Sequence, residues 1–104
     1  MDYTCKSGAI IQIDEEGFLE NSMDWTKAIA EELARNDGIE LTDKHWVIID
    51  YLRTYYSENG ITPLIRRLCE DNFFTLKQIY ELFPKGPVFG ACRIAGLVKP
   101  DGCV

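Results

Sequence analysis

The sequence has no long hydrophobic run and little positive charge, and both absences narrow the possible functions. Its longest apolar stretches span only a few residues, as at 47–49, so we expect no membrane span and no direct membrane insertion. The N-terminus lacks a basic region followed by an apolar stretch, so we expect no signal peptide and a cytoplasmic location. The 11 Lys and Arg are outnumbered by 17 Asp and Glu. The net charge of −6 therefore argues against nucleic-acid binding.

Histidine is scarce and the cysteines are scattered, which argues against a metal centre. The single histidine, His45, is far in sequence from the cysteine pair with the closest spacing, Cys92 and Cys103, which has ten residues between its members. Structural zinc sites use much closer pairs, so the sequence predicts neither a metal nor a cofactor. A chain of 104 residues that is 46% hydrophobic can also build a core without a disulfide framework.

The pattern of apolar residues predicts one mainly α domain over residues 1–104, with a short N-terminal β-hairpin. The β-branched run at 9–13 followed by Gly17 predicts the hairpin. Capping residues and apolar spacing predict four helices: about 25–35, from Thr42 to Asn59, from Thr62-Pro63, and from Thr75 to Pro84. On the second helix we expect His45 at the surface and Trp46 in the core, and Trp25 is predicted as a core anchor.

The second and third predicted helices have the outline of a helix-turn-helix within a small helical bundle. The later helix bears Arg66 and Arg67, which a DNA-binding regulator would direct at nucleic acid. Helix pairs of this kind are more often purely structural, and the acidic balance opposes phosphate binding. The DNA-binding regulator is therefore kept only as an alternative.

The composition changes after Pro84, because the last 21 residues contain three prolines and four glycines. This content predicts an extended C-terminal arm over 85–104, with room for one short helix at 88–94. Cys103, second from the end of the sequence, is expected to be exposed, and an exposed thiol in a reducing compartment suggests that its thiolate is used.

Cys92 is a candidate reactive residue because of Cys103: a segment rich in Gly and Pro can fold back and bring the two sulfurs together. Arg93 and Lys99 flank the arm and would favour thiolates or sulfur anions near it. Of the other cysteines, Cys69 is predicted to be packed in the core. Cys5 is expected near a frayed terminus, without a role.

The residues around both arm cysteines resemble the DsrC/TusE sulfur-carrier family. The similar blocks are Tyr80-Glu81-Leu82-Phe83-Pro84, Gly90-Ala91-Cys92-Arg93-Ile94-Ala95-Gly96-Leu97 and Gly102-Cys103-Val104, with Asp24-Trp25 and Gly60-Ile61-Thr62-Pro63 upstream. The resemblance covers nearly the whole chain. It implies a mainly helical fold with a small N-terminal hairpin and an extended arm, acting as a protein co-substrate rather than as an enzyme with its own pocket.

The resemblance also implies a chemistry for the two cysteines. Cys103 would bear a persulfide, and in DsrC-like members the residue matching Cys92 joins it. Dissimilatory sulfite reductase then leaves a sulfur atom between them as a trisulfide, which a membrane redox complex reduces. TusE-like members instead pass sulfur among other sulfurtransferases toward tRNA 2-thiouridine, and they typically keep only the residue matching Cys103.

The presence of Cys92 favours the sulfite reductase co-substrate, and the TusE-like relay is the first alternative. Val98 departs from the family, which usually has proline there, but the change removes no reactive group. Relatives from sulfur oxidisers tend to carry an insertion before Tyr80, and its absence here favours the reductive direction.

Overall fold

A computed structural model describes residues 2–5, 8 and 10–97, and its architecture is a helical body with a small N-terminal sheet. Strands β1 (Asp2–Thr4) and β2 (Ile10–Gln12) pair antiparallel. The helical elements are a 3₁₀ turn (Ser22–Asp24), α1 (Lys27–Asn36), α2 (Asp43–Asn59), α3 (Ile65–Asn72), α4 (Leu76–Leu82) and the π-helical α5 (Pro87–Cys92). The predicted mainly α fold with a short N-terminal hairpin is confirmed.

The hairpin uses a different partner strand from the one that the sequence predicted. Strand β2 pairs with β1, which precedes it, whereas the turn at Gly17 supports only a single bridge between Ile13 and Leu19. The Asp14 carboxylate accepts hydrogen bonds from two backbone N–H groups of this turn, at 2.8 and 3.0 Å. This side-chain cap stabilises the turn locally, so the turn forms although it joins no extended strands.

Helices α1 and α4 each begin where a threonine hydroxyl caps the first turn. Thr75 Oγ1 accepts the Gln78 N–H at 3.2 Å, and Gln78 Oε1 accepts the Thr75 N–H at 2.8 Å, which forms a reciprocal capping box. Helix α1 begins slightly later than predicted, because Thr26 caps it by accepting the Ile29 N–H. The predicted start of the third helix at Thr62-Pro63 is wrong, because the backbone is still extended at Leu64 and α3 begins at Ile65 without a side-chain cap.

The core is shared by the turn after β2 and by helices α1 to α5. Its largest side chains, each less than 2% exposed, are Phe18, Leu19, Ile48, Ile49, Leu52, Leu68, Ile79, Phe83, Ile94 and Leu97. The last two follow Pro84, so the packed body does not end at that proline. No helix in the described part of the chain is long and apolar enough to cross a bilayer.

The described part of the predicted arm, residues 85–97, is folded rather than extended. The short helix expected at 88–94 is present as α5, and helical backbone continues through Ile94. Residues 91–97 are all buried. The prediction of an arm starting at residue 85 is therefore wrong for this part, because apolar packing outweighs the flexibility that its glycines and prolines suggested. Residues 98–104 lie outside the described residues.

The expectation that His45 lies at the surface is also wrong. Its side chain is 6% exposed, and its Nδ1 accepts the Thr42 N–H at 3.0 Å. Since Nδ1 is an acceptor, we assign the proton to Nε2, which donates to the Leu82 carbonyl oxygen at 2.7 Å. His45 thereby links the start of α2 to the end of α4.

Candidate functional site

Cys92 lies in the last turn of α5, inside the packed body. It is 3% exposed, and its neighbour Ala91 is fully buried. Helix α5 packs closely on the end of α4: a Cβ atom added at Gly90 would lie only 2.9 Å from the Phe83 Cβ. This close approach requires glycine, and it holds the helix that carries Cys92 against the core.

The chain reverses direction at Gly96, four residues after Cys92. Gly96 has a left-handed backbone (φ 77°), its N–H donates to the Arg93 carbonyl oxygen at 3.1 Å, and the Leu97 N–H donates to the Cys92 carbonyl oxygen at 3.2 Å. This pair of hydrogen bonds is a Schellman motif, the usual way for a helix to end at glycine. Leu97 therefore returns beside Cys92, and the chain leading to Cys103 departs from this point.

Two side chains from elsewhere in the chain hold this helix end. Trp25 Nε1–H donates to the Ile94 carbonyl oxygen at 2.9 Å, and an Arg53 N–H donates to the Ala95 carbonyl oxygen at 2.9 Å. The Arg53 guanidinium also lies 4.2 Å from the centre of a Trp25 ring, within the range of a cation–π interaction. We call Trp25 and Arg53 the exit clamp.

Gly96 lies directly against the exit clamp. A Cβ atom added there would lie 2.2 Å from Trp25 Cδ1, so only glycine fits without displacing the indole. The sequence predicted Trp25 as a core anchor, and its side chain is half-buried against the core. The sequence did not single out Arg53, because its partner Ala95 is 42 residues away and leaves no local signature.

Arg93 is buried and bonded away from solvent. Its guanidinium forms an ion pair with Asp37, and its Nε–H donates to the Phe89 carbonyl oxygen at 2.8 Å. The Asp37 carboxylate also forms an ion pair with Lys85, whose Nζ lies 3.1 Å from Asp37 Oδ1. These contacts tie α5 to the end of α1. The idea that Arg93 stabilises thiolates stays a prediction, as does that for Lys99, which lies outside the described residues.

Arg66 and Arg67, the candidate nucleic-acid contacts, are both exposed on α3. Arg67 Nε lies 3.2 Å from the Asp71 carboxylate, which also accepts the Tyr51 hydroxyl at 2.6 Å. Burial, together with the hydrogen bond and charge of Asp71, raises the pKa of Tyr51 to about 12. Arg67 thus takes part in a contact that joins α2 and α3, which is a structural role.

The cysteines outside the arm have environments that disfavour the thiolate. Cys5 is 7% exposed, and its burial and the nearby Glu32 charge raise the pKa of its thiol. The expectation that Cys5 lies near a frayed end is therefore wrong. Cys69 is partly buried on α3, and burial raises the pKa of its thiol as well. Both thiols are poor nucleophiles at neutral pH.

Cys103, the other half of the predicted pair, lies outside the described residues. What the structure describes is its point of departure, which is fixed beside Cys92 by the exit clamp.

Comparison with known proteins identifies the family. The family model described as "DsrC like protein" matches residues 6–104. The dissimilatory-type sulfite reductase subunit gamma of Nitratidesulfovibrio vulgaris is 46% identical over 98 residues, covering 93% of each chain. The sulfurtransferase TusE of Yersinia pseudotuberculosis is 40% identical over 104 residues, covering 93% of this chain and 96% of its own. This chain therefore belongs to the DsrC-like family.

A solved structure agrees with that assignment. A chain in the crystal structure of dissimilatory sulfite reductase I superposes with a TM-score of 0.91 at 43% identity, and the match covers the whole of both chains. The resemblance predicted from the cysteine-bearing blocks is thus confirmed at the level of family and fold.

Proposed function

We propose that this chain is a sulfur carrier that acts as a protein co-substrate of a dissimilatory-type sulfite reductase, with Cys103 and Cys92 as its reactive thiols. The sulfur-carrier role is common to the two kinds of relative, a sulfite reductase gamma subunit and a TusE sulfurtransferase. The match to a chain within a sulfite reductase crystal structure supports that enzyme as the partner.

The observation that carries the two-cysteine chemistry is the Schellman turn at the end of α5. Because Leu97 N–H bonds to the Cys92 carbonyl oxygen, the segment with Cys103 starts beside Cys92. Only five residues, 98–102, separate Leu97 from Cys103. Six residue steps span at most about 20 Å when extended, enough for Cys103 to reach outward into a partner, and a short segment can also fold back.

The proposed reaction balances as follows. Sulfite takes two electrons from the reductase and two from the protein thiols, and forms a trisulfide with the two sulfurs; its three oxygen atoms leave as water, with the two thiol protons and four protons from solvent. Four further electrons from a separate reductant, here a membrane redox complex, restore both thiols and release the central sulfur as sulfide. In this scheme the body supplies no catalytic pocket, and its task is to present the two sulfurs.

In this proposal residues 1–104 form one domain, and the extended part of the arm begins after Leu97. A TusE-like relay is the second candidate, favoured by the identity to that sulfurtransferase. The relay needs Cys103 alone, so it gives no reason for a cysteine at position 92. A DNA-binding role gains no support, since Arg67 is engaged with Asp71.

The experiment that separates these candidates uses purified dissimilatory-type sulfite reductase, sulfite and an electron donor. Wild-type protein should gain one sulfur atom and lose two hydrogens, with a trisulfide mapped to Cys92 and Cys103 by mass spectrometry. The Cys92→Ser variant should form no trisulfide, while Cys69→Ser is the matched control and should behave as wild type. Trisulfide-free turnover with full activity in Cys92→Ser would favour the single-cysteine relay instead.

A further inference from the structure

An apolar groove lies on the surface where α3, α4 and α5 meet. Its volume is about 300 Å³, and it is lined by Ile65, Tyr80, Lys85, Gly86, Pro87, Val88 and Phe89. The Tyr80 ring lies close to Gly86, where an added Cβ atom would be 3.0 Å from Tyr80 Cε1. Ligand pockets hold roughly 300–1,000 Å³, so this groove suits one large side chain of another protein better than a cofactor.

The apolar surface at this place is open to solvent. Tyr80 is 49% exposed and Phe89 is 44% exposed. Leu76 is exposed as well, and it lies on the same side of α4 as Tyr80, because residues four apart are neighbours on a helix. Adjoining exposed apolar side chains mark interaction sites, whereas single ones do not.

Charge is divided unevenly along the chain, and the groove lies in the less acidic part. In residues 1–60, 13 acidic residues outnumber five basic ones, which gives a net charge of −8. In residues 61–97, five basic residues outnumber three acidic ones, which gives a net charge of +2. The surface formed by α3, α4 and α5 therefore attracts an acidic partner, while the rest of the chain repels it.

Cations also predominate next to the groove. Arg66 follows a lining residue on α3, and Lys77 lies on α4 three residues before Tyr80; both are exposed. The side chain of Lys85 belongs to the lining and is 58% exposed. Glu81, also exposed, is the acidic residue beside Tyr80 in the chain. The groove thus combines an apolar centre with a mainly cationic rim.

We propose that this groove is the surface by which the chain docks on the sulfite reductase of the proposed function, and that the reductase presents there an apolar side chain flanked by carboxylates. An apolar anchor in a pocket with a polar rim is the arrangement of protein interfaces, and the charge asymmetry orients the encounter. Docking here places the reductase against the helix that carries Cys92, because Phe89 precedes Cys92 by three residues on α5.

The first test is the dissociation constant of the complex with purified dissimilatory-type sulfite reductase, measured by biolayer interferometry without sulfite. Tyr80→Ser removes the ring from the groove and should raise the constant about 10- to 30-fold, the loss expected for an interface anchor. Ile10→Ser is the control, because Ile10 is 62% exposed but lies on β2. It should leave the constant unchanged.

The second test reverses one charge at the rim. Lys77→Glu and the control Lys27→Glu change the net charge equally, and both lysines are exposed. Lys27 begins α1, ten residues before Asp37, which places it about 15 Å along the helix from the partner of Lys85. At about 10 mM salt, where screening extends over about 30 Å, Lys77→Glu should raise the constant about threefold more than Lys27→Glu. At about 1 M salt this difference should vanish.

The proposal requires both differences. Equal constants within either pair overturn it, and so does a wild-type protein that does not bind the reductase. If Tyr80→Ser fails to give a cooperative urea transition, the two lysine variants decide alone, because exposed substitutions seldom affect folding. The inference takes its partner from the proposed function, but the measurement involves no sulfur transfer. Trisulfide formation can therefore fail while docking at the groove holds, and docking can fail while the trisulfide still forms.

Discussion

Replacing Gly96 with alanine is expected to destabilise the fold more than any comparable glycine substitution at an open position. Two costs combine at this residue. Its left-handed backbone (φ 77°) costs an L-residue about 1–2 kcal/mol. Its new Cβ would meet Trp25 Cδ1 at 2.2 Å, and overpacking of this kind costs about 1–3 kcal/mol.

The sum is about 2–5 kcal/mol, a large part of the 5–15 kcal/mol that is roughly typical of a whole domain. Gly38→Ala is the matched control. Gly38 has nearly the same backbone (φ 78°), but its Cβ would meet no atom of the described chain within 4 Å. It should therefore lose only the backbone cost, about 1–2 kcal/mol.

Urea denaturation followed by tryptophan fluorescence and far-UV circular dichroism measures both losses. A double-mutant cycle with Trp25→Ala isolates the steric part, because removing the indole should bring Gly96→Ala close to the Gly38→Ala value. Equal losses for the two alanine variants in the wild-type background would refute the close packing of Gly96 on Trp25.

Three further outcomes follow from the same structure. Asp37→Asn should lower the free energy of unfolding in urea by about 3–5 kcal/mol, because it removes the charge partner of the buried Arg93 guanidinium. Lys85→Met, which removes an exposed ammonium from the same carboxylate, should lower it by only about 0–1 kcal/mol; similar losses for both variants would contradict this. Ultraviolet titration should place the Tyr51 pKa at about 12, and Asp71→Asn should lower it. Because folding raises this pKa, its stabilising contribution is present below about pH 10 and is lost as the pH rises toward 12; a Tyr51 midpoint at the value of an unperturbed phenol would be inconsistent. Iodoacetamide at pH 8 should modify Cys5 much more slowly in native protein than in urea, and equal rates would exclude its burial.

The parts of the fold that the sequence predicted are those with local causes. Thr42 and Thr75 at the N-cap positions, and apolar residues at helical spacing, act within one or two turns of the chain. Gly60 ends α2 in the left-handed conformation, as its place after Asn59 indicated. These helix ends can be predicted from the sequence because each depends on residues close to it in the chain.

The parts that the sequence did not predict depend on contacts between distant residues. Trp25 and Ile94 are 69 residues apart, and Asp37 and Arg93 are 56 apart. Pairs at such separations have no periodic signature in a single sequence. The position of the two cysteines and the family resemblance both indicated Cys92 and Cys103, but neither indicated that Trp25 and Arg53 together hold the helix end after Cys92.

Glycines near the C-terminus were interpreted as sources of flexibility, and the structure gives two of them a different role. Gly90 allows α5 to approach Phe83, and Gly96 allows the indole of Trp25 to cover the helix end. Glycine serves both mobility and close packing, and composition alone does not distinguish them. For that reason the predicted arm starts at residue 85, although residues 91–97 are buried in the structure.

The most direct test of the sulfur-carrier function is to locate the first sulfur atom that the protein accepts. The reduced protein would be treated with a limiting amount of inorganic polysulfide, blocked with an alkylating reagent and mapped by mass spectrometry. The persulfide should form on Cys103 in the wild type and in Cys92→Ser, and Cys103→Ser should gain little sulfur at any position. Sulfur uptake at Cys92, Cys5 or Cys69 that persists undiminished in Cys103→Ser would contradict the assignment of Cys103 as the carrier thiol.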